Sequence, residues 1–229
     1  MPDASPHVGT LRERPLHAAL KAWYAGDGDG IEVPVDGFVI DIVRGDLLIE
    51  IQTRGFSSIK RKLTILLESH PVRLVHPIAV EKWIVKPATE QGPATRRKSP
   101  RRGSPHDLFA ELVSFPDLVA HPNLTLDVVM IRAEEEWRHD GTRGWPRKGW
   151  VVEERRLLEV IEVTSIDSPN DLVEFLPPGL PEEFTTADLA GAMRSTRRLA
   201  QQTAYCLRHA GVIEMADKRG NAIVYTTIQ

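Results

Sequence analysis

The segment from Ile40 to Gln52 constrains the fold of this chain more than any other stretch of its sequence. Two short apolar runs flank a tight turn at Gly45 and Asp46, and this pattern predicts an antiparallel hairpin. The first strand carries Asp41, and the second carries Glu50 between apolar neighbours. Because side chains on one face of paired strands lie about 5 Å apart, we expect the two carboxylates to converge.

A pair of convergent carboxylates is the kind of site that Mg²⁺ binds while it keeps several of its waters. A divalent cation there can neutralise a scissile phosphate and lower the pKa of an attacking water. Gln52 points to the same face as Glu50, where its amide can orient the water or contact the phosphate, and the backbone carbonyl of Ile51 can add a ligand. Alternatively, Asp41 and Glu50 are ordinary hairpin residues. Leu48, Ile49 and Ile51 make this strand look buried, which favours the first interpretation, because a buried carboxylate is costly without a metal or a partner.

The residues around the hairpin predict an α/β core over residues 1–86. Helical spacing of apolar residues begins after Pro15, which suits a first turn. The stretch Ile31–Val43 predicts two short strands or one bent strand, with Pro34 at the break. A second helix with an apolar inward face follows the hairpin, and Arg73–Ile78 has the composition of a buried strand. The predicted order is helix, three strands, helix, strand, in a mixed sheet.

Three short motifs accompany the predicted elements of this core. Gly9 and Glu13 precede the first helix, Asp41–Val43 reads Asp-Ile-Val, and Glu50–Gln52 reads Glu-Ile-Gln on the next strand. These motifs resemble the PD-(D/E)xK nuclease superfamily, and within it the pattern of archaeal Holliday-junction resolvases. The resemblance covers about residues 9–86 and implies a restriction-endonuclease-like core.

The resemblance also implies roles for individual residues. Asp41 and Glu50 would bind Mg²⁺, for which Mn²⁺ would substitute, and Glu13 would join them directly or through a water. The family motif ends in lysine, so Gln52 is a departure that some restriction enzymes of the superfamily share. The helix after the motif would face the substrate, where a basic run can contact phosphates or simply be solvated: Lys60, Arg61 and Lys62.

Residues 171–229 resemble a winged helix-turn-helix. Thr185 and Asp188 have capping-box spacing ahead of a short helix, Ser195 or Thr196 can cap a second helix that ends at Gly211, and a hairpin follows. Arginine and glutamine on such a helix can pair with base edges, and basic residues at the hairpin tip can contact phosphates. The alternative is a solvated face on a dimerisation module. The candidate nucleic-acid contacts are Arg197, Arg198, Gln201, Gln202, Arg208, Lys218 and Arg219.

The remaining regions are less informative. Residues 87–105 are rich in proline, glycine and arginine and predict a basic linker or loop, and residues 106–170 predict an α+β extension whose place in the fold the sequence does not fix. A net charge of -3 provides no global attraction for a polyanion, so nucleic-acid contacts must be local. Cys206 is the only cysteine, which excludes an internal disulfide and a multi-cysteine zinc site.

Together these features predict a Mg²⁺-dependent DNA endonuclease whose winged helix helps to hold the substrate. A cytoplasmic protein is expected, without a membrane association and without an organic cofactor, because no signal segment or long apolar run is present. A homodimer is a further expectation, since cutting two strands needs two active sites. The alternative is a catalytically inactive nuclease scaffold that acts as a DNA-binding regulator or as a protein-interaction module in a defence or repair complex.

Overall fold

The computed structural model describes residues 14–88, 92–140 and 149–228 and has a mixed α/β architecture. The helices are α1 (Pro15–Tyr24), α2 (Lys60–Leu66), α3 (Phe109–Leu112), α4 (Thr186–Ala192) and α5 (Arg197–His209). The strands are β1 (Gly30–Val35), β2 (Phe38–Arg44), β3 (Leu47–Ile51), β4 (Val72–Lys86), β5 (Thr95–Lys98), β6 (Leu124–His139), β7 (Trp150–Ile166), β8 (Glu183–Thr185), β9 (Ile213–Arg219) and β10 (Ala222–Thr227). Short segments of 3₁₀-helix lie at Phe56–Ser58, Pro105–Leu108, Pro116–Ala120 and Pro169–Phe175.

The first seven strands form one mixed sheet. Its order is β1-β2-β3-β4-β6-β7, and β5 pairs with the outer end of β4. The pairs β3–β4 and β4–β6 are parallel, whereas β1–β2, β2–β3 and β6–β7 are antiparallel. The predicted order of helix, three strands, helix and strand is therefore present in residues 15–86.

The turn between β1 and β2 lies at a different position from the one predicted. Asp36 and Gly37 both have positive φ, at 48° and 79°, which is the backbone of the tight two-residue turns that join antiparallel strands. Pro34 lies inside β1 and pairs with Val39. The prediction that Pro34 marks the break was wrong, because β1 is an edge strand and an edge strand tolerates the missing N–H of proline.

Each face of the large sheet has its own core. Adjacent residues of a strand point to opposite faces, and Leu74 packs in one cluster while Val75 packs in the other. Leu16 and Leu20 of α1 cover the face that includes Val75, which we call the α1 face. The opposite face, which we call the α2 face, is covered by α2, α3 and α5, with Leu63 among its buried residues.

The large sheet does not end at residue 86. Strand β6 pairs in parallel with β4 from Val72 opposite Leu124 to Val85 opposite Glu136, and β7 pairs with β6 along its length. The predicted α+β extension at residues 106–170 thus supplies two long strands of the same sheet. The region predicted as a linker or loop at 87–105 contains β5, which is paired to β4.

Residues 183–228 form a second, smaller unit, which we call the C-terminal module. A three-stranded sheet in the order β8-β10-β9 lies beside α4 and α5. The predicted capping box of Thr185 and Asp188 is confirmed, and Thr196 caps α5. The module packs against the α2 face, where His209 Nδ1 lies 2.7 Å from Asp117 Oδ1. Among the described residues, no helix has the length and apolar character needed to span a membrane.

A buried polar contact holds α1 on the sheet. Asp127 of β6 is 3% exposed and accepts hydrogen bonds from the hydroxyls of Tyr24 at 3.0 Å and Ser165 at 2.8 Å. Arg73 Nε lies 3.8 Å from the same carboxylate. Because Tyr24 ends α1, this contact fixes the orientation of the helix whose first turn reaches Asp41.

We expect Tyr24→Phe to lower the free energy of unfolding by about 1–3 kcal/mol, because it removes a hydrogen bond to a buried charged group. Urea denaturation followed by circular dichroism measures this difference. Tyr205→Phe is the matched control, since Tyr205 is 47% exposed, and its effect should stay within about 0.5 kcal/mol. Equal stability of Tyr24→Phe and the unmodified protein would contradict the anchoring role.

Candidate active site

Asp41 lies where the paired backbones of β2 and β3 separate. The backbone pairing of the two strands runs from Arg44 opposite Leu47 to Ile42 opposite Ile49. One step further, Asp41 Oδ2 accepts a hydrogen bond from the backbone N–H of Ile51 at 2.8 Å, and it lies 3.1 Å from His17 Nε2 of α1. Asp41 Oδ1 forms no hydrogen bond within the described ranges, so one oxygen of this carboxylate remains available to a ligand.

Glu50 lies beside Asp41 and faces α2. It is 6% exposed, and its Oε1 atom accepts a hydrogen bond from Lys62 Nζ at 2.5 Å. The same ammonium donates to the carbonyl of Val39 at 2.6 Å. Lys62, predicted from the sequence as a phosphate contact, therefore lies in the site itself. We call Asp41 and Glu50 the acid pair.

The two carboxyl groups of the acid pair have opposite pKa shifts. Burial raises the pKa of Glu50 to about 7, an effect that the charge of Lys62 opposes and the charge of Asp41 reinforces. Burial also acts on Asp41, but the hydrogen bond and charge of His17, followed by the Ile51 amide, hold its pKa below the usual value. Near neutral pH Asp41 is thus ionised while Glu50 titrates, which is the division of roles found in acid–base sites.

Gln52, predicted to orient water or contact phosphate, is engaged in a loop. Its Nε2 donates to the carbonyl of Arg54 at 2.7 Å and of Gly55 at 3.2 Å, and to Ser58 Oγ at 3.2 Å. Gly55 has a φ of 72°, a conformation that suits glycine. The amide of Gln52 therefore braces the turn that leads from β3 into α2, and through that turn it helps to place Lys62.

Two other predicted ligands have different outcomes. Glu13 lies outside the described residues, as does Gly9. The backbone N–H of Ile51 is the donor to Asp41, and the predicted role of its carbonyl stays a prediction. His17, which was not among the predicted site residues, contacts Asp41. The signal that could have found it is its place in the predicted helix next to Leu16, four residues after Glu13 in the sequence.

This site offers a metal ion two carboxylate side chains. Among the described residues, no group of three His, Cys, Asp or Glu side chains converges to hold a metal. Two carboxylates are nevertheless enough for Mg²⁺, which completes its coordination with waters. The described residues that would hold it are Asp41, through its available Oδ1, and Glu50.

Residues 14–167 match the family described as a domain of unknown function, DUF8091. The chain belongs to the DUF8091 family. The chain is also 32% identical over 221 residues to an uncharacterized protein of Treponema pallidum (strain Nichols), a match that covers 95% of this chain and 86% of the relative. No solved structure matches the chain. The DUF8091 match begins just before α1 and ends just after β7, so it contains the acid pair and the whole large sheet.

The predicted nucleic-acid contacts lie at two places. Lys60 and Arg61 are exposed at the start of α2 in the DUF8091 domain. The C-terminal module has a groove of about 720 Å³ between α5 and the β9–β10 hairpin. Four of the predicted residues line that groove, namely Arg197, Gln201, Arg208 and Arg219, whereas Arg198, Gln202 and Lys218 lie outside its lining.

The polar face of α5 is open to a ligand. Within the described part of the chain, the side chains of Arg197, Gln201 and Arg208 form no hydrogen bond or ion pair. Arg219, by contrast, is paired with Glu183 at 2.7 Å. Tyr205, 47% exposed, also lines the groove. The groove therefore presents unpaired cations beside an aromatic ring.

The raised pKa of Glu50 predicts that the affinity of the acid pair for a divalent cation depends on pH. A proton on Glu50 competes with the cation, so affinity should rise as pH increases through about 7. We expect the affinity for Mn²⁺ to increase about tenfold from pH 6 to pH 8, measured by isothermal titration calorimetry. Glu50→Gln should bind more weakly and without this dependence. An affinity that is flat over this range in the unmodified protein would contradict the assignment of Glu50 as a ligand.

Proposed function

We propose that this protein is a metal-dependent nuclease that hydrolyses phosphodiester bonds in DNA. The observation that carries the proposal is the meeting of Asp41, Glu50 and Lys62 at the point where β2 and β3 separate. Two acids on a mixed sheet, and a lysine that reaches Glu50 from α2, are the side-chain types that the PD-(D/E)xK resemblance requires. The order of elements in residues 15–86 supports a restriction-endonuclease-like core.

Each side chain of the site has a distinct task in this proposal. Asp41 is ionised and offers Oδ1 to a cation, while Glu50 offers the second carboxylate once it has lost its proton. A bound Mg²⁺ would supply charge neutralisation and an activated water. In the family motif, a lysine stands at the position of Gln52. Lys62 takes over the role of that lysine, because its ammonium reaches Glu50 from α2. When a phosphate enters, the same ammonium can donate to a non-bridging oxygen and stabilise the charge that develops there.

The C-terminal module would hold the substrate in the manner of a winged helix. Its two helices followed by a hairpin support this proposal, as do the unpaired Arg197 and Arg208 of α5. A guanidinium can contact base edges or phosphates. The module packs on the α2 face of the sheet, which is also the face from which Lys62 reaches Glu50.

We expect Asp41→Asn and Lys62→Met each to reduce the rate of Mg²⁺-dependent cleavage of labelled DNA by about a hundredfold or more, since each removes a charge from the reacting centre. Glu68→Gln is the matched control, because it removes an exposed charge just after the same helix, and its rate should stay within about threefold. Gln52→Ala should fall between these, because Gln52 positions Lys62 through the loop.

A second candidate function is a nuclease scaffold that binds DNA without cutting it. The observation in its favour is that Lys62 already neutralises Glu50, while His17 and the Ile51 amide already satisfy Asp41 Oδ2. Retention of DNA with no cleavage of duplex, branched or single-stranded substrates in Mg²⁺ or Mn²⁺ would select this function. Cleavage that survives Asp41→Asn and Lys62→Met would contradict the proposed site.

A further inference from the structure

A cavity of about 350 Å³ opens just beyond the end of β3, the strand that carries Glu50. It lies between the end of β3, the middle of β4 and the segment 101–111, and its volume is within the range of small-ligand sites. Thr53 and Arg54, which follow Gln52 directly, form one wall. The remaining lining includes His76, Lys82, Arg101, Asp107, Glu111 and Arg155.

The cations of this cavity are of two kinds. Lys82 Nζ and Arg155 Nε are held by Glu135, whose Oε1 lies 3.0 Å and 3.1 Å from them. Glu135 is 2% exposed, so both cations are held by a buried carboxylate. Arg54 and Arg101 are exposed, and within the described ranges their guanidinium groups have no hydrogen bond or ion pair. The cavity is thus lined by two cations that are paired with Glu135 and by two arginines that have no ion-pair partner among the described residues.

The acids that line the cavity are already engaged. Glu111 Oε2 accepts the backbone N–H groups of Gly55 at 2.9 Å and Phe56 at 3.1 Å. Asp107 Oδ2 accepts the N–H of Ser104 at 3.3 Å as part of a capping box. His76 donates from Nδ1 to the carbonyl of Gln52 at 2.7 Å, and burial lowers its pKa, so it adds no positive charge at neutral pH. The unpaired arginines therefore determine which ligand the cavity favours.

A close backbone contact places Arg101 over the cavity. The N–H of Gly103 donates to the carbonyl of Ala79 at 2.9 Å. A Cβ atom on Gly103 would lie 2.8 Å from that carbonyl oxygen and 2.7 Å from the side chain of Ile78. Only glycine at position 103 therefore allows the segment 101–111 to approach β4 so closely. The hydrogen bond of Gly103 attaches this segment to the sheet two residues after Arg101.

We infer that this cavity binds a phosphate group of the substrate, namely of the DNA strand that reaches the acid pair. Arg54 and Arg101 are the direct contacts. The inference rests on the proposed function and deepens it, because it names a subsite for the substrate. Arg54 follows Glu50 by four residues, and Gln52 links the two places by donating to the carbonyl of Arg54 and accepting from His76. A phosphate in the cavity would place the neighbouring phosphodiesters of the strand near Asp41 and Glu50.

The test is the binding of a fluorescent single-stranded DNA oligonucleotide in EDTA over a series of salt concentrations. We expect the double variant Arg54→Ala/Arg101→Ala to bind about tenfold or more weakly. Its plot of log K against log salt should be less steep by roughly 1.4, the value for two lost phosphate contacts on a single strand. Arg97→Ala is the matched control, because Arg97 is an exposed arginine of the same basic segment outside the cavity lining, and it should change affinity less than twofold.

Unchanged affinity and an unchanged salt slope in the double variant would overturn the inference. Inorganic pyrophosphate provides a second arm: if the variant loses pyrophosphate binding but keeps its DNA affinity, the cavity takes a free phosphate and the assignment to the strand is wrong. EDTA makes this experiment independent of cleavage. If the unmodified protein cleaves no DNA but the double variant loses DNA affinity, only the proposed function is wrong. If the unmodified protein cleaves DNA but the double variant binds DNA with unchanged affinity, only the subsite is wrong.

Discussion

The contact between Glu50 and Lys62 is the interaction on which the site depends. A carboxylate that is 6% exposed loses most of its hydration, and a nearby cation offsets only part of that cost. The pKa of Glu50 stays near 7 even with the ammonium of Lys62 at 2.5 Å. Part of the desolvation cost of the Glu50 carboxylate therefore remains. The proposed divalent cation would offset that cost, which gives a reason for an acid in an otherwise apolar strand.

The rest of the fold holds both acids of the acid pair and their partners in place. On the α1 face, Tyr24 and Asp127 fix the helix that brings His17 to Asp41. On the α2 face, the loop braced by Gln52 leads into the helix that brings Lys62 to Glu50. Strands β2 and β3 lie between them, and their separation at Asp41 allows groups from both faces to meet at one place.

The order of the elements around the acid pair could be predicted because it depends on local patterns. Apolar periodicity and the turn at Gly45 indicated α1, the β2–β3 hairpin and α2, and capping residues indicated α4 and α5. The parallel pairing of β4 with β6 could not be predicted in this way, because its partners are about fifty residues apart along the chain. Strand β5 was missed because all four of its residues are exposed and basic or polar, so it lacks the alternation that marks a half-buried strand.

The acid pair itself could be predicted from hairpin register, whereas the position of Lys62 could not. In the sequence, Lys62 belongs to a basic run at the start of a helix, which is typical of a solvated face. Its role depends on the left-handed Gly55 and on the three hydrogen bonds of the Gln52 amide, which together set the direction of α2. The cavity beside it depends on the approach of Gly103 to β4, which is a tertiary contact without a local signal.

A crystal structure of the protein soaked in Mn²⁺ tests whether Asp41 and Glu50 bind one divalent cation together. The anomalous signal of the metal locates it. We expect one strong peak within about 2.5 Å of an oxygen of both Asp41 and Glu50, with the ammonium of Lys62 displaced from Glu50. A map at saturating Mn²⁺ without a peak at the acid pair, and with Lys62 still bonded to Glu50, would contradict it.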